Sequence, residues 1–143
     1  MTDVDLDALV GHRFEGGERT VEHWENWLLT DCTQRAPMTD DLLHPVALFH
    51  VPIQAAATSI ADIFAVAGGG AAGSVTLLGY DWEYLAPMYE GMSLRGVGGI
   101  TAAQRHRDDA GHVAHDDVSF SIELVAPGGE VVARVTNRWR FLR

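Results

Sequence analysis

The stretch from His44 to Val66 holds the most apolar window of the chain, Val46–Val66, and what it can become constrains the rest. From Val51 onward the spacing predicts one helix, with Pro52 in its first turn, where a missing N–H costs nothing. Ile53, Ala56, Ala57, Ile60, Ile63 and Phe64 share a face at i, i+3, i+4, i+7 spacing, while Gln54, Thr58, Ser59 and Asp62 line the other. Gly68, Gly69 and Gly70 then stop the helix, because glycine tolerates the left-handed cap. Each Ile or Phe contributes about 1.5–3 kcal/mol if fully buried, and the alanines let a neighbouring backbone come close. Such a helix needs a sheet to cover it. His50, Pro52, Gln54 and Asp62 interrupt the run, so it does not read as a membrane span.

The remaining residues supply that sheet. Gly11–Arg19 reads as a strand kinked at Gly16 and Gly17. Thr20 is expected to cap a helix ending near Cys32, with Glu22 and Glu25 at its positive end and Val21, Trp24, Trp27 and Leu28 on one face. Pro37, Thr39, Asp40 and Asp41 mark a loop. In Ser74–Leu85, Thr76, Leu78, Tyr80, Trp82 and Tyr84 point one way and Asp81 and Glu83 the other. Ser93–Gln104 is a long strand whose Gly96, Gly98 and Gly99 invite a close approach. Val118, Phe120, Ile122 and Leu124 face inward, as do Val131, Ala133, Val135, Trp139 and Phe141, with Gly128-Gly129 as a two-residue hairpin loop between them. That register sets Glu123 opposite Arg134 and Asp117 opposite Arg140, favourable pairs of about 0.2–1 kcal/mol each. The expected class is α+β, one domain over residues 1–143, an antiparallel sheet wrapped around a long central helix. A cone-shaped NTF2-like barrel is the rival; it would pair no strand at Gly11–Arg19 into the main sheet.

The formal net charge of −10 argues against nucleic-acid and anionic-membrane partners. The first residues have no basic and apolar leader pattern, and a single cysteine fits a reducing compartment, so a cytoplasmic location is expected. Cys32 reads as a small buried residue. His106, Asp108, Asp109, His112, His115, Asp116 and Asp117 have the side chains of a metal site but mixed spacing; they read as a solvated connection, and no metal is expected.

Four stretches, in order, resemble the MaoC-like hydratases and dehydratases, which have the hot-dog fold. These are Gly11-His-Arg-Phe14 with Thr20-Val-Glu-His-Trp24, then Phe49-His50, then Tyr84-Leu-Ala-Pro-Met-Tyr-Glu-Gly91, and Pro127-Gly-Gly-Glu-Val-Val-Ala133. The resemblance implies an acyl-thioester-binding hot-dog protein, working on enoyl or 3-hydroxyacyl groups carried by coenzyme A or acyl carrier protein, with no further cofactor. It also implies a homodimer, or a heterodimer with another hot-dog subunit. Family chemistry rests on an Asp–His pair, and aligning Ala36-Pro37 with the family's motif puts Gln34 and Thr39 at those two places and Asp41 at a trailing aspartate. Two alternatives therefore stand: a non-catalytic subunit beside a catalytic MaoC-like partner, or a hot-dog acyl-CoA thioesterase. His44-Pro45 is weakly similar to a His-Pro element of the fatty-acid dehydratases, although Asp62 lies beyond the expected carboxylate position.

The candidate catalytic residues are His50 and His44 as imidazoles, with Asp31 and Asp41 as carboxylates, for general acid–base work. Val51 N–H, at the helix start, is the candidate oxyanion donor. Gln54, Trp27 and Arg138 complete the candidate substrate contacts, Arg138 through a pantetheine phosphate. Each has a plainer reading: turn or cap for His44, Asp31 and Asp41, and ion pairs for Arg134, Arg138 and Arg140.

Overall fold

Three long strands, β3 (Ser93–Arg107), β4 (Val113–Val125) and β5 (Val131–Leu142), form the centre of a five-stranded antiparallel sheet. β1 (Gly17–Thr20) lies at one edge and β2 (Val75–Tyr84) at the other, in the order β1-β3-β4-β5-β2. The computed structural model describes residues 4–69 and 73–143. Alternation drives β4: Val118, Phe120, Ile122 and Leu124 are all buried. Glu123 faces Arg134 and Asp117 faces Arg140, as the opposite charges require. Arg134 Nη2 donates to Glu123 at 2.8 Å, and Arg140 donates to both Asp117 oxygens at 2.8 Å. β1 pairs with β3, the contact that the rival barrel lacks.

The expected single helix from Val51 to Val66 is two helices. A 3-10 turn (Pro45–Phe49) leads into α3 (Val51–Ala55), and α4 (Ile60–Val66) follows a break. A continuous helix would give the Ala56 carbonyl to the residue-60 N–H. Instead that carbonyl accepts from Gly16 N–H at 3.1 Å, Ala57 turns to φ 52°, and Ser59 caps α4 by accepting from Asp62 N–H at 3.1 Å. The sheet makes this contact possible at Gly96 of β3, where a Cβ would fall 2.3 Å from Ala55 C and Ala56 N. α3 is the deeply covered part: Val51, Ala55 and Ala56 are fully buried. Gly68, at φ 71°, follows α4; Gly70 lies outside the described residues.

Other boundaries also differ. A short α1 (Leu6–Leu9) is capped by Asp5, and α2 (His23–Cys32) starts after Thr20, which stays in β1. Its apolar stripe points outward: Trp24 is 63% exposed and Trp27 52%, while Asn26 and Thr30 are buried. Asn26 explains this orientation. Its amide donates to the Leu42 carbonyl (2.9 Å) and Glu90 (2.7 Å), and its Oδ1 accepts from His44 N–H (2.8 Å), so a fully bonded polar group fixes the helix. Cys32, at the end of the helix, is exposed. The β4–β5 loop closes between Ala126 and Glu130 around Pro127, Gly128 and Gly129, three residues with Gly129 at φ 88° rather than two. The charged connection His106–Asp117 is largely strand; only the segment after Arg107 and before Val113 turns, held by Asp108. Among the described residues, no helix is long and apolar enough to cross a membrane.

Candidate functional site

Between α3 and the β2–β5 pair lies a mostly apolar cavity of about 300 Å³. His50, Ile53 and Gln54 form one side, Leu77 and Tyr80 of β2 another, and Asn137 and Trp139 of β5 the floor. A register shift between Leu77 and Gly79 breaks the expected alternation and brings Leu77, not Leu78, to this wall. Tyr80 fixes the approach to His50: its hydroxyl donates to the carbonyls of Leu48 (2.8 Å) and Phe49 (2.9 Å). Burial raises the Tyr80 phenol above its ordinary pKa, so it stays protonated and keeps donating. Tyr84 does the same for the Pro45 carbonyl at 2.8 Å. Phe64 packs edge-on against Trp139, with ring centroids 5.0 Å apart. A larger groove of about 480 Å³ runs between residues 13–18 and 95–98, but it is open and no imidazole lines it.

At the cavity mouth, His50 Nε2 lies 3.4 Å from Glu25 Oε1, at the long end of hydrogen-bond range. Glu25 is held in turn: Arg19 Nη2 donates to both its oxygens, at 2.7 and 2.8 Å. Arg19 Nε donates to Gln54 Oε1 at 2.9 Å, which fixes that side chain on the cavity wall. The Glu25 side chain is only 12% exposed and that of His50 30%, so the pair is shielded without being sealed. With Nε2 turned to the carboxylate, the proton is assigned to Nε2 and Nδ1 is left as the basic nitrogen. This is an imidazole facing a carboxylate that an arginine clamps through both oxygens.

The structure brings His50, Val51 and Gln54 together at this end of α3. The other sequence candidates lie elsewhere. His44 caps the 3-10 turn, its Nδ1 accepting from Val46 N–H at 3.1 Å and its Nε2 lying 3.2 Å from Thr33 Oγ1. Desolvation, then the nearby Arg35 charge, lowers the His44 pKa and favours the neutral ring that accepts. Asp31 is exposed on α2, and Asp41 is an exposed turn residue at φ 56° whose carbonyl accepts from Glu90 N–H. Trp27 points to solvent, and Arg138 faces Asp81 at 3.5 Å, both side chains more than half exposed. None of these five lines the cavity. Glu25 and Arg19 are the functional candidates that the sequence concealed; Glu25 reads there as an ordinary acidic residue in a first helical turn.

No protein-family model matches the chain, and no curated protein matches its sequence. Solved structures do match its shape. A monoamine oxidase regulatory protein from Archaeoglobus fulgius superposes with a TM-score of 0.67 at 15% identity, covering 94% of this chain and 90% of that one. The phenylacetic acid degradation protein PaaI from Thermus thermophilus gives 0.57 at 14% identity, covering 95% and 96%. A hypothetical thioesterase from Streptococcus pneumoniae, solved with coenzyme A, gives 0.54 at 13% identity, covering 88% and 75%. At these identities the likeness extends to the fold and does not single out the MaoC-like branch. The chain has the hot-dog fold.

Proposed function

We propose that this chain binds acyl thioesters and hydrolyses them, with His50 as the general base. The observation that carries the reading is the His50–Glu25 pair at the mouth of an apolar cavity sized for a small acyl group. His50 Nδ1 takes a proton from water as the water oxygen attacks the thioester carbonyl carbon. The carbon–sulfur bond then breaks, and the thiolate leaves with the proton from the imidazolium, giving a carboxylic acid and a thiol. A thiol with a pKa near 8.5 departs with little help, so one imidazole suffices. Hydration of an enoyl thioester needs a proton delivered at one carbon and hydroxide at the next, and Glu25, clamped by Arg19, is poorly placed to serve as a second proton carrier. Val51 N–H, at the head of α3, is the candidate donor to the developing oxyanion. Coenzyme A and acyl carrier protein both fit as carrier. The exposed edge β2, with Leu78 and Tyr84 on its surface, is where a second hot-dog chain would pair, a state that light scattering measures.

Thiol release from acetyl- through dodecanoyl-coenzyme A, followed with a thiol-trapping dye, tests the reading. His50→Gln is expected to lower kcat/KM by about 10²–10⁴. Loss of enoyl absorbance from crotonyl-coenzyme A without thiol release would transfer the assignment to hydration. Thiol release no faster than in buffer, or unchanged in His50→Gln, would overturn it.

A further inference from the structure

On the face of the sheet turned away from α3, three side chains converge that the proposed chemistry does not use. His106 of β3 and His115 of β4 are direct cross-strand partners, and Asp117, two residues beyond His115, shares their side. The imidazoles stack with centroids 4.4 Å apart and planes 17° from parallel. Both direct Nε2 at one carboxylate: His106 lies 3.5 Å from Asp117 Oδ2, and His115 lies 3.9 Å from Oδ1. These gaps are too wide for good hydrogen bonds, and both Nε2 atoms are buried without a hydrogen-bond partner. Two imidazole nitrogens and a carboxylate oxygen thus lie within 4.8 Å of one another, with no hydrogen bond made by either nitrogen.

A tetrahedral ion bonded at about 2.0–2.2 Å holds its ligand atoms about 3.3–3.6 Å apart, so binding draws the three atoms, now within 4.8 Å, inward and turns the stacked rings to aim both Nε2 lone pairs at the ion. Imidazole donors favour zinc, copper and nickel over magnesium or calcium. Arg140 fixes the third ligand by donating to both Asp117 oxygens at 2.8 Å, and each oxygen keeps a further lone pair. Outer hydrogen bonds of this kind orient ligating carboxylates. We propose that His106, His115 and Asp117 form a binding site for one divalent cation of the zinc class, tying β3 to β4 beside their connecting turn.

The test uses the full, tag-free chain after treatment with a chelator. Calorimetric titration with Zn²⁺ is expected to show one ion per chain, and Co²⁺ to develop visible absorption bands. His106→Gln and His115→Gln should each weaken Zn²⁺ binding by about 10–100-fold and abolish the cobalt bands. His23→Gln and His112→Gln, at side chains more than four-fifths exposed, should leave both unchanged. Saturating Zn²⁺ should also protect His106 and His115 of the unaltered protein from carbethoxylation, a readout independent of whether any variant folds. No Zn²⁺ binding at micromolar protein, binding that survives both substitutions, or absence of protection would overturn the proposal.

Discussion

Gly96→Ala probes the contact on which both the fold and the site depend. A Cβ at this position would lie 2.3 Å from Ala55 C and Ala56 N and 2.6 Å from the Ala55 carbonyl oxygen. Ordinary Cβ contacts begin near 3.4 Å, so a clearance of about 1.1 Å must open. The atoms in the way are backbone, and no side-chain rotation relieves them. Overpacking of this kind costs about 1–3 kcal/mol. For a domain of this size that lowers the melting temperature by about 3–10 °C. The displaced element is α3, whose first residue follows His50, so the His50–Glu25 contact moves with it. A misplacement of about 1 Å at a reacting group costs on the order of 10² in rate. Thermal melts followed by circular dichroism, and thiol release from a butyryl thioester, measure the two effects. Gly128→Ala is the control: a Cβ there meets nothing within 4 Å, and stability should hold within about 0.5 kcal/mol. A Gly96→Ala protein that melts with the wild type would show that α3 does not rest on β3 as described. One that melts early but hydrolyses at full rate would break the link between α3 placement and chemistry.

Three further perturbations follow from the same geometry. Glu25→Gln removes the carboxylate beside His50 and leaves Arg19 without its bidentate partner; thiol release should fall about 10-fold in kcat with KM little changed, since Glu25 does not line the cavity. Asp116 is fully buried and accepts from Arg105 Nε and Arg143 Nε, each at 2.8 Å, so Asp116→Asn should cost about 3–5 kcal/mol in urea unfolding. Burial alone would raise the Asp116 pKa, but the two arginines outweigh it and hold the carboxyl below 3.8. Its stabilisation is therefore complete above that value and drains as the pH falls through the lower folded pKa, a steep acid limb that the Asn variant should lack. Tyr80→Phe strips one donor from the Leu48 and Phe49 carbonyls and should destabilise by about 1 kcal/mol, seen as a shift in urea midpoint at constant slope.

The sheet was legible because its signals are local and redundant. β4 alternates over residues 116–124 and β5 over 133–137, and two pairs of opposite charge, Glu123 with Arg134 and Asp117 with Arg140, fix their register independently of the turn. The turn itself misled by one residue, because Pro127 joins the loop and a register shift next to Val125 absorbs the difference. The helix break was hidden for the opposite reason. Ala55, Ala56 and Ala57 are good helix formers, and nothing nearby in sequence announces that Gly16 N–H takes the Ala56 carbonyl. On α2, an apolar stripe of Trp24, Trp27 and Leu28 looked like an inward face. Which side of a helix meets its own sheet is decided by the best-satisfied contacts, and here a bonded asparagine outranked three exposed apolar side chains.

The site divides along the same line. His50 and Gln54 drew notice in the sequence because they lie at the head of the apolar run, where the structure places the start of α3. Glu25 did not, since it lies 25 positions before His50 with no sequence signal that links the two. What joins them is β1: its pairing with β3 places Arg19 where it can grip Glu25 with one end of its guanidinium and Gln54 with the other. The loop where the family resemblance put the catalytic pair instead holds Gln34, Asp40 and Asp41 at positive φ, a conformation that shapes turns and leaves their side chains exposed. The carboxylate beside the cavity's imidazole is therefore clamped by the edge strand. Breaking the Arg19 contacts would loosen Glu25 and Gln54 together, on both sides of His50.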